Sequence, residues 1–115
     1  MTPELFLKLL SDPTRLRSLL LLQQEGELCV CELTYALGEI QPKISRHLAA
    51  LRDAGIVVDR REGQWIYYRI SPGLPAWARA ILQSLVKAAH DAKPYAADLD
   101  KLRKMPRRPG SRICA

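Results

Sequence analysis

No apolar run in this chain approaches the ~18 residues that a membrane span requires. The four leucines at 19–22 are among the longest such runs, and they read as part of a buried helix. Its first residues do not show the basic segment, apolar segment and small-residue cleavage site of a secretory leader in order, so the expectation is a cytoplasmic protein with no membrane partner. Cysteine is scarce as well. There are three in 115 residues, two of them too close in sequence for a comfortable bridge, so free thiols or metal ligands are expected rather than a disulfide framework. There is no CxxC, no thioredoxin-like strand–helix–strand order and no glycine-rich dinucleotide fingerprint. Those absences argue against a small thiol oxidoreductase. The chain is expected not to be an enzyme and to need no resident cofactor. No internal repeat of 20 residues or longer is present, nor any low-complexity tract before the C-terminal tail.

What is present points to one globular domain. At 115 residues the chain is long enough for one core and too short for two, and its 48% apolar and 26% charged residues are ordinary for a folded protein. The net charge of +6 is unevenly placed. Residues 1–40 carry three basic and six acidic groups, residues 41–70 six and three, and residues 94–115 six and two. A localised basic field favours a polyanion, because each phosphate neutralised releases condensed counterions. A face charged only for solubility is the other reading of the same numbers.

Along the chain, Leu5, Phe6, Leu9 and Leu10 have amphipathic helical spacing, interrupted by Ser11-Asp12-Pro13. Asp12 as N-cap and Pro13 at the first helical position open a second helix with core leucines at 16, 19, 20 and 22. Residues 30–37 read as a short third helix stopped by Gly38. Pro42 suits the first turn of a fourth, whose buried stripe is Ile44, Leu48 and Leu51. After Gly55, the β-branched and aromatic runs 56–60 and 65–70 form a hairpin through residues 61–64. Pro75 begins a last long helix with Trp77, Ile81, Leu82, Leu85, Val86 and Ala88/Ala89 along its apolar face. One small domain has little core for so much apolar surface, so this face is assigned to a dimer interface, joined by Leu5, Phe6 and Leu9. Residues 1–92 are expected to form the DNA-binding and dimerisation domain. Residues 93–115 are Pro-containing and basic, and are expected to be a mobile tail with at most a short helix over 95–104.

This element order is that of a winged helix-turn-helix, mainly α with a small β-hairpin, in which the fourth helix enters the major groove. Gln41, Lys43, Ser45, Arg46 and His47 lie on its first turns, where amide, hydroxyl and cationic groups reach base edges or phosphates. Arg60, Arg61 and Gln64 would form the wing, while Arg69 reads as a sheet-surface charge. For His47, packing beside Ile44 and Leu48 stands equally as a reading.

Cys29 and Cys31 stand ten residues ahead of this helix. Thiolates are soft ligands that select thiophilic ions. On a regular helix, residues two apart are rotated by about 200°, so both sulfurs could hold one ion only by distorting the backbone. Distortion costs least in a helix's first turn, where N–H groups lack intrahelical partners, and that end also favours thiolate. Unwinding the start of the third helix would then displace the fourth and weaken DNA affinity. Small buried apolar cysteines, or a redox-sensing pair, are the alternatives.

The runs Glu27-Leu28-Cys29-Val30-Cys31-Glu32-Leu33, Gln41-Pro42-Lys43-Ile44-Ser45-Arg46-His47-Leu48, Leu51-Arg52-Asp53-Ala54-Gly55 and Gly63-Gln64-Trp65-Ile66-Tyr67-Tyr68-Arg69-Ile70 together closely resemble the ArsR family of arsenic-responsive repressors. The resemblance covers roughly residues 3–90. It implies a homodimeric repressor on double-stranded operator DNA, released when the Cys29/Cys31 thiolate pair captures trivalent arsenic or antimony. There is one departure. Some sensors of this type carry a third cysteine three positions after the pair, where this chain has Thr34. Trivalent arsenic prefers three sulfurs, so the third place falls either to Cys114 of the tail or to the carbon of a monosubstituted organoarsenical, with Cys114 then a bystander. Sensors of other soft metals (Cd, Pb, Zn) remain an alternative on the same fold. However, His90 and Asp91 are too few for a zinc site on the last helix, and the N-terminus has no cysteine.

Overall fold

The computed structural model describes residues 1–108. Two short helices lead the chain, α1 (Pro3–Leu10) and α2 (Pro13–Glu25). Asp12 caps α2 as its spacing suggests, its Oδ1 accepting the Arg15 backbone N–H at 3.0 Å, with Pro13 in the first turn. Leu19, Leu20, Leu21 and Leu22 are all buried, which makes α2 the central helix. It packs against α1 and six later elements.

Next come β1 (Glu27–Cys29), α3 (Val30–Leu37) and α4 (Gln41–Asp53). Gly38 ends α3 in the left-handed region at φ 67°, a conformation that costs glycine little, and its N–H closes onto the Thr34 carbonyl. The expected stripe of α4 is fully buried: Ile44, Leu48 and Leu51 pack in one core with Leu33 and Leu37 of α3 and with Leu28. Truncating Leu48 to Ala would cost about 2–5 kcal/mol. That core holds α3 against α4.

The hairpin consists of β2 (Val57–Glu62) and β3 (Trp65–Ile70). Its turn is shorter than expected. Glu62 pairs with Trp65, leaving Gly63-Gln64 as a two-residue loop with Gly63 at φ 59°, because tight hairpin turns accept a glycine at the first loop position. β1 was not expected at all. It pairs antiparallel with β3, Cys29 opposite Tyr67, giving a sheet of order β1-β3-β2.

The C-terminal half departs from the sequence reading in two places. In α5 (Ala76–Ala89), Ala78 and Leu82 are buried in the protein's own core, as is Phe6 of α1, which meets Trp77 edge-to-face at 5.5 Å. Large apolar side chains exposed at this end include Leu5, Leu7 and Trp77, 41%, 56% and 37% exposed, while Ile81, Leu85 and Val86 of the expected interface are half-buried. The short helix allowed over 95–104 forms as α6 (Tyr95–Arg103), but where composition suggested a mobile tail from residue 93 it docks on α2 and α3. Leu102 is fully buried, and Asp98 accepts a bidentate pair from Arg17 at 2.6 and 2.8 Å. A leucine spaced among charges suffices once a buried counter-ion is supplied from elsewhere in the chain. Among the described residues no helix is long and apolar enough to cross a membrane.

Candidate nucleic-acid interface and thiol site

α3, the turn at residues 38–40 and α4 form the helix-turn-helix. α4 begins at Ile40 without a side-chain cap, so its leading N–H groups receive no hydrogen bond from the capping residue's own side chain. Gln41 and Arg46 are exposed, and Lys43 is partly open while paired with Glu39 at 3.0 Å. Ser45 is half-buried.

His47 turns inward. Its Nδ1 lies 3.2 Å from Arg15 Nη1, which can only donate, and its Nε2 is 3.8 Å from Asp12. Burial, with Arg15, Arg46 and Lys43 adding to it against the pull of Asp12, holds the imidazole below its ordinary value. Of the two readings for this residue, the geometry is that of a neutral packing histidine.

The wing residues separate similarly. Arg61 and Gln64 are exposed at the tip. Arg60 is bound down onto the sheet, donating to both Glu27 carboxylate oxygens at 2.6 and 2.9 Å and stacking 4.5 Å from the Tyr67 ring. Arg60 is itself exposed, but it is paired with Glu27, whose carboxyl it holds below the usual range.

The cysteine geometry corrects the helical argument. Cys29 is not in the helix: it ends β1 and serves as N-cap of α3 with extended backbone at φ −82° and ψ 161°, while Cys31 is the second helical residue. The rotation of about 200° applies only to two residues that are both helical. Here the boundary falls between them, and the side chains converge with no unwinding of α3. Contrary to the expectation that two cysteines so close in sequence would not bridge, the two sulfurs are joined as a disulfide, because the strand-to-helix boundary between them leaves the Cα atoms 5.4 Å apart, within the ordinary range for such a link. Cys114 lies outside the described residues.

Sequence reasoning passed over Glu32. It is fully buried; one oxygen accepts the Cys29 backbone N–H at 2.9 Å and the other accepts Arg108 Nε at 2.6 Å. Its place three residues after Cys29 is the capping-box spacing, which could have identified it. Arg108, from beyond α6, had no comparable signal.

Between the start of α3, the outer side of α4 and the wing lies a cleft of about 540 Å³. Cys29, Cys31 and Val30 form one wall, Trp65, Ile66 and Tyr68 of β3 another. Gln41, Ser45, Ala49 and Arg52 of α4 close the third, and Gln64 lies at the hairpin end. The cysteine pair and α4 therefore share one surface depression.

The sequence pattern described as "Bacterial regulatory protein, arsR family" matches residues 12–58. The chain is 52% identical over 110 residues to the arsenic resistance transcriptional regulator ArsR1 of Pseudomonas putida, spanning 95% of this chain and 86% of that protein. Its fold is similar to that of the AntR antimony-specific transcriptional repressor at TM-score 0.61 and 33% identity, over 74% of this chain and 77% of that one. It is also similar to the homodimeric winged helix-turn-helix DNA-binding domain of Mb0332 from Mycobacterium bovis, at TM-score 0.61 and 34% identity, over 77% and 83%.

Proposed function

Because the chain belongs to the arsR family of bacterial regulatory proteins, we propose that it is a homodimeric repressor that binds operator DNA and releases it when Cys29 and Cys31 capture a trivalent arsenic or antimony species. The observation that carries this reading is the convergence of both sulfur-bearing residues on the cleft that Gln41 and Ser45 also line. A group bound to the sulfurs then lies against the reading helix itself. Gln41, Lys43, Ser45 and Arg46 would meet base edges and phosphates from α4, with Arg61 and Gln64 reaching from the wing. His47 would hold α4 on α2. Leu5, Leu7 and Trp77, open on α1 and α5, supply the apolar surface for a second copy. In such a dimer the two reading helices lie about 34–36 Å apart, one turn of DNA.

The test is fluorescence anisotropy on a duplex selected from random sequence by the reduced protein. Arsenite or phenylarsine oxide releases the wild type and leaves a Cys29→Ser, Cys31→Ser variant bound; equal release of both rejects the site. A Cys114→Ser variant decides the third sulfur. Full arsenite response makes Cys114 dispensable, and loss for arsenite alone makes it the third ligand.

The disulfide between Cys29 and Cys31 favours a second reading, in which oxidation of the same pair is the signal. A thiol oxidant such as diamide would then release DNA with no arsenical present, and a phosphine reductant would restore binding.

A further inference from the structure

We infer that α6 is a second DNA-contacting element, whose Lys101 meets a backbone phosphate beside the groove that α4 enters. This rests on the reading of α4 as the DNA reader. α6 is fixed against the end of α3 that lies away from the cysteines. Asp98 holds the Arg17 guanidinium, and the same Nη2 also donates to the carbonyl of Leu37, the last residue of α3, at 3.3 Å. Leu102 anchors the next turn of α6 in the core.

Lys101 is thereby carried to the turn between α3 and α4. Its Nζ lies 5.1 Å from the centre of the Tyr35 ring, and a Cβ placed on Gly38 would sit 3.8 Å from it. Gly38 precedes Gln41 by three residues, at most ~10 Å of chain. The major groove is ~12 Å wide, so a helix that enters it N-terminus first brings this turn to the phosphates on its rim.

Charge singles out Lys101 from its neighbours. Arg103 is paired with Glu25 at 3.4 Å, Lys104 with Asp100 at 3.1 Å and Arg108 with Glu32 at 2.6 Å. Glu39, the acidic residue of the turn, is taken by Lys43 at 3.0 Å. Lys101 is exposed and, among the described residues, makes no ion pair. The ring beneath it attracts the cation without neutralising it and leaves N–H groups for an oxygen anion. A free ammonium displaces about one counterion per phosphate met, and a paired one displaces few. The group recognised is the phosphodiester itself, so the contact adds affinity on any duplex sequence. Lys101 also stands at the negative end of the α3 dipole, a role that would move stability and not salt dependence.

The full-length protein, reduced with a phosphine, is titrated by anisotropy against its selected duplex and a scrambled one across a salt series. Lys101→Gln lowers the slope of log affinity against log salt by about 1 and weakens binding to both duplexes by a similar factor, whereas Lys104→Gln leaves the slope unchanged. An unchanged slope in Lys101→Gln, an equal fall in Lys104→Gln, or a loss confined to the selected duplex overturns the contact. A lower urea midpoint with the wild-type slope assigns Lys101 to the dipole and overturns it too. Lysine footprinting covers a Lys101→Gln variant that folds poorly. In the wild type, an N-hydroxysuccinimide ester of acetate modifies Lys101 several-fold more slowly once duplex is bound, while Lys104 keeps its free rate; equal protection, or none, rejects the contact. Wild type that binds neither duplex rejects the DNA-binding reading itself, whereas wild type that binds with the lysine results missing rejects Lys101 alone.

Discussion

α3 and α4 start in opposite ways. α3 opens at Cys29, 1% exposed, whose backbone N–H is held by the buried Glu32 carboxylate, itself held by Arg108. α4 opens at Ile40, 68% exposed, with no side-chain cap and with Gln41 in the open. A capped start spends its polar groups internally and fixes whatever its first residues carry. An uncapped start leaves its N–H groups and the positive end of its dipole for an anion. In this chain the fixed start holds the sulfurs and the open one faces outward as the proposed DNA reader. The cleft between them lets one report on the other.

Opening the closed start is the most damaging way to erase this contrast. Glu32→Ala removes two charge-assisted hydrogen bonds at a fully buried position, and stability should fall by about 1.5–3 kcal/mol. The urea midpoint measures that loss. Cys31 in the reduced variant should also react faster with iodoacetamide, because the turn that fixes it has lost its cap. An unchanged midpoint together with an unchanged alkylation rate would mean that the seal does nothing.

Weakening the open start should act on DNA and leave the fold alone. Arg46 is exposed and, among the described residues, makes no hydrogen bond or ion pair that its loss would strand, so Arg46→Ala should shift the denaturation midpoint little. Its operator affinity should drop by about 1–2 kcal/mol, roughly tenfold, read by anisotropy at fixed salt. A variant that loses stability and keeps affinity would reverse the assignment of this face.

A smaller effect lies on the inner side of α4, at His47. Its imidazole is held below the ordinary 6.5 chiefly by burial, so on acidification the unfolded chain takes up a proton that the folded chain resists. Stability is unaffected by this residue well above pH 6.5 and falls as the pH drops through 6.5 toward the lower folded value. Urea midpoints measured from pH 8 to pH 5 should show that slope, and His47→Gln should flatten it. An identical slope in the variant would assign the acid sensitivity to other groups.

Sequence alone located the start of α2, the end of α3 and the start of α4, because local chemistry sets them. Asp12-Pro13, Gly38 and Pro42 act within their own turns, and Ile44, Leu48 and Leu51 form a stripe by period alone. The contacts that seal α3 were not visible, since they join residues far apart in the chain. β1 is three residues long and exists only because β3, about forty residues later, pairs with it. Without that strand Cys29 reads as helical, and the two sulfurs seem to face apart. The Glu32–Arg108 contact spans 76 positions and the Arg17–Asp98 pair 81, with no periodicity to announce either.

The same long-range pairing yields the finest test, because it divides two adjacent wing arginines that sequence treated alike. Arg60 lies between Glu27 and the Tyr67 ring, and Arg61 is exposed with Gln64 beyond it at the tip. A cation already neutralised by a carboxylate displaces few counterions when DNA arrives, whereas a free one displaces about one per phosphate met. Arg61→Ala should therefore lower the slope of log affinity against log salt by about 1, with a loss of a few-fold at moderate salt. Arg60→Ala should leave the slope unchanged and slightly loosen the tie that joins the edge strands β2 and β1 across β3 instead. If both substitutions change the slope equally, Arg60 leaves Glu27 when DNA binds, and the wing carries two reading charges rather than one.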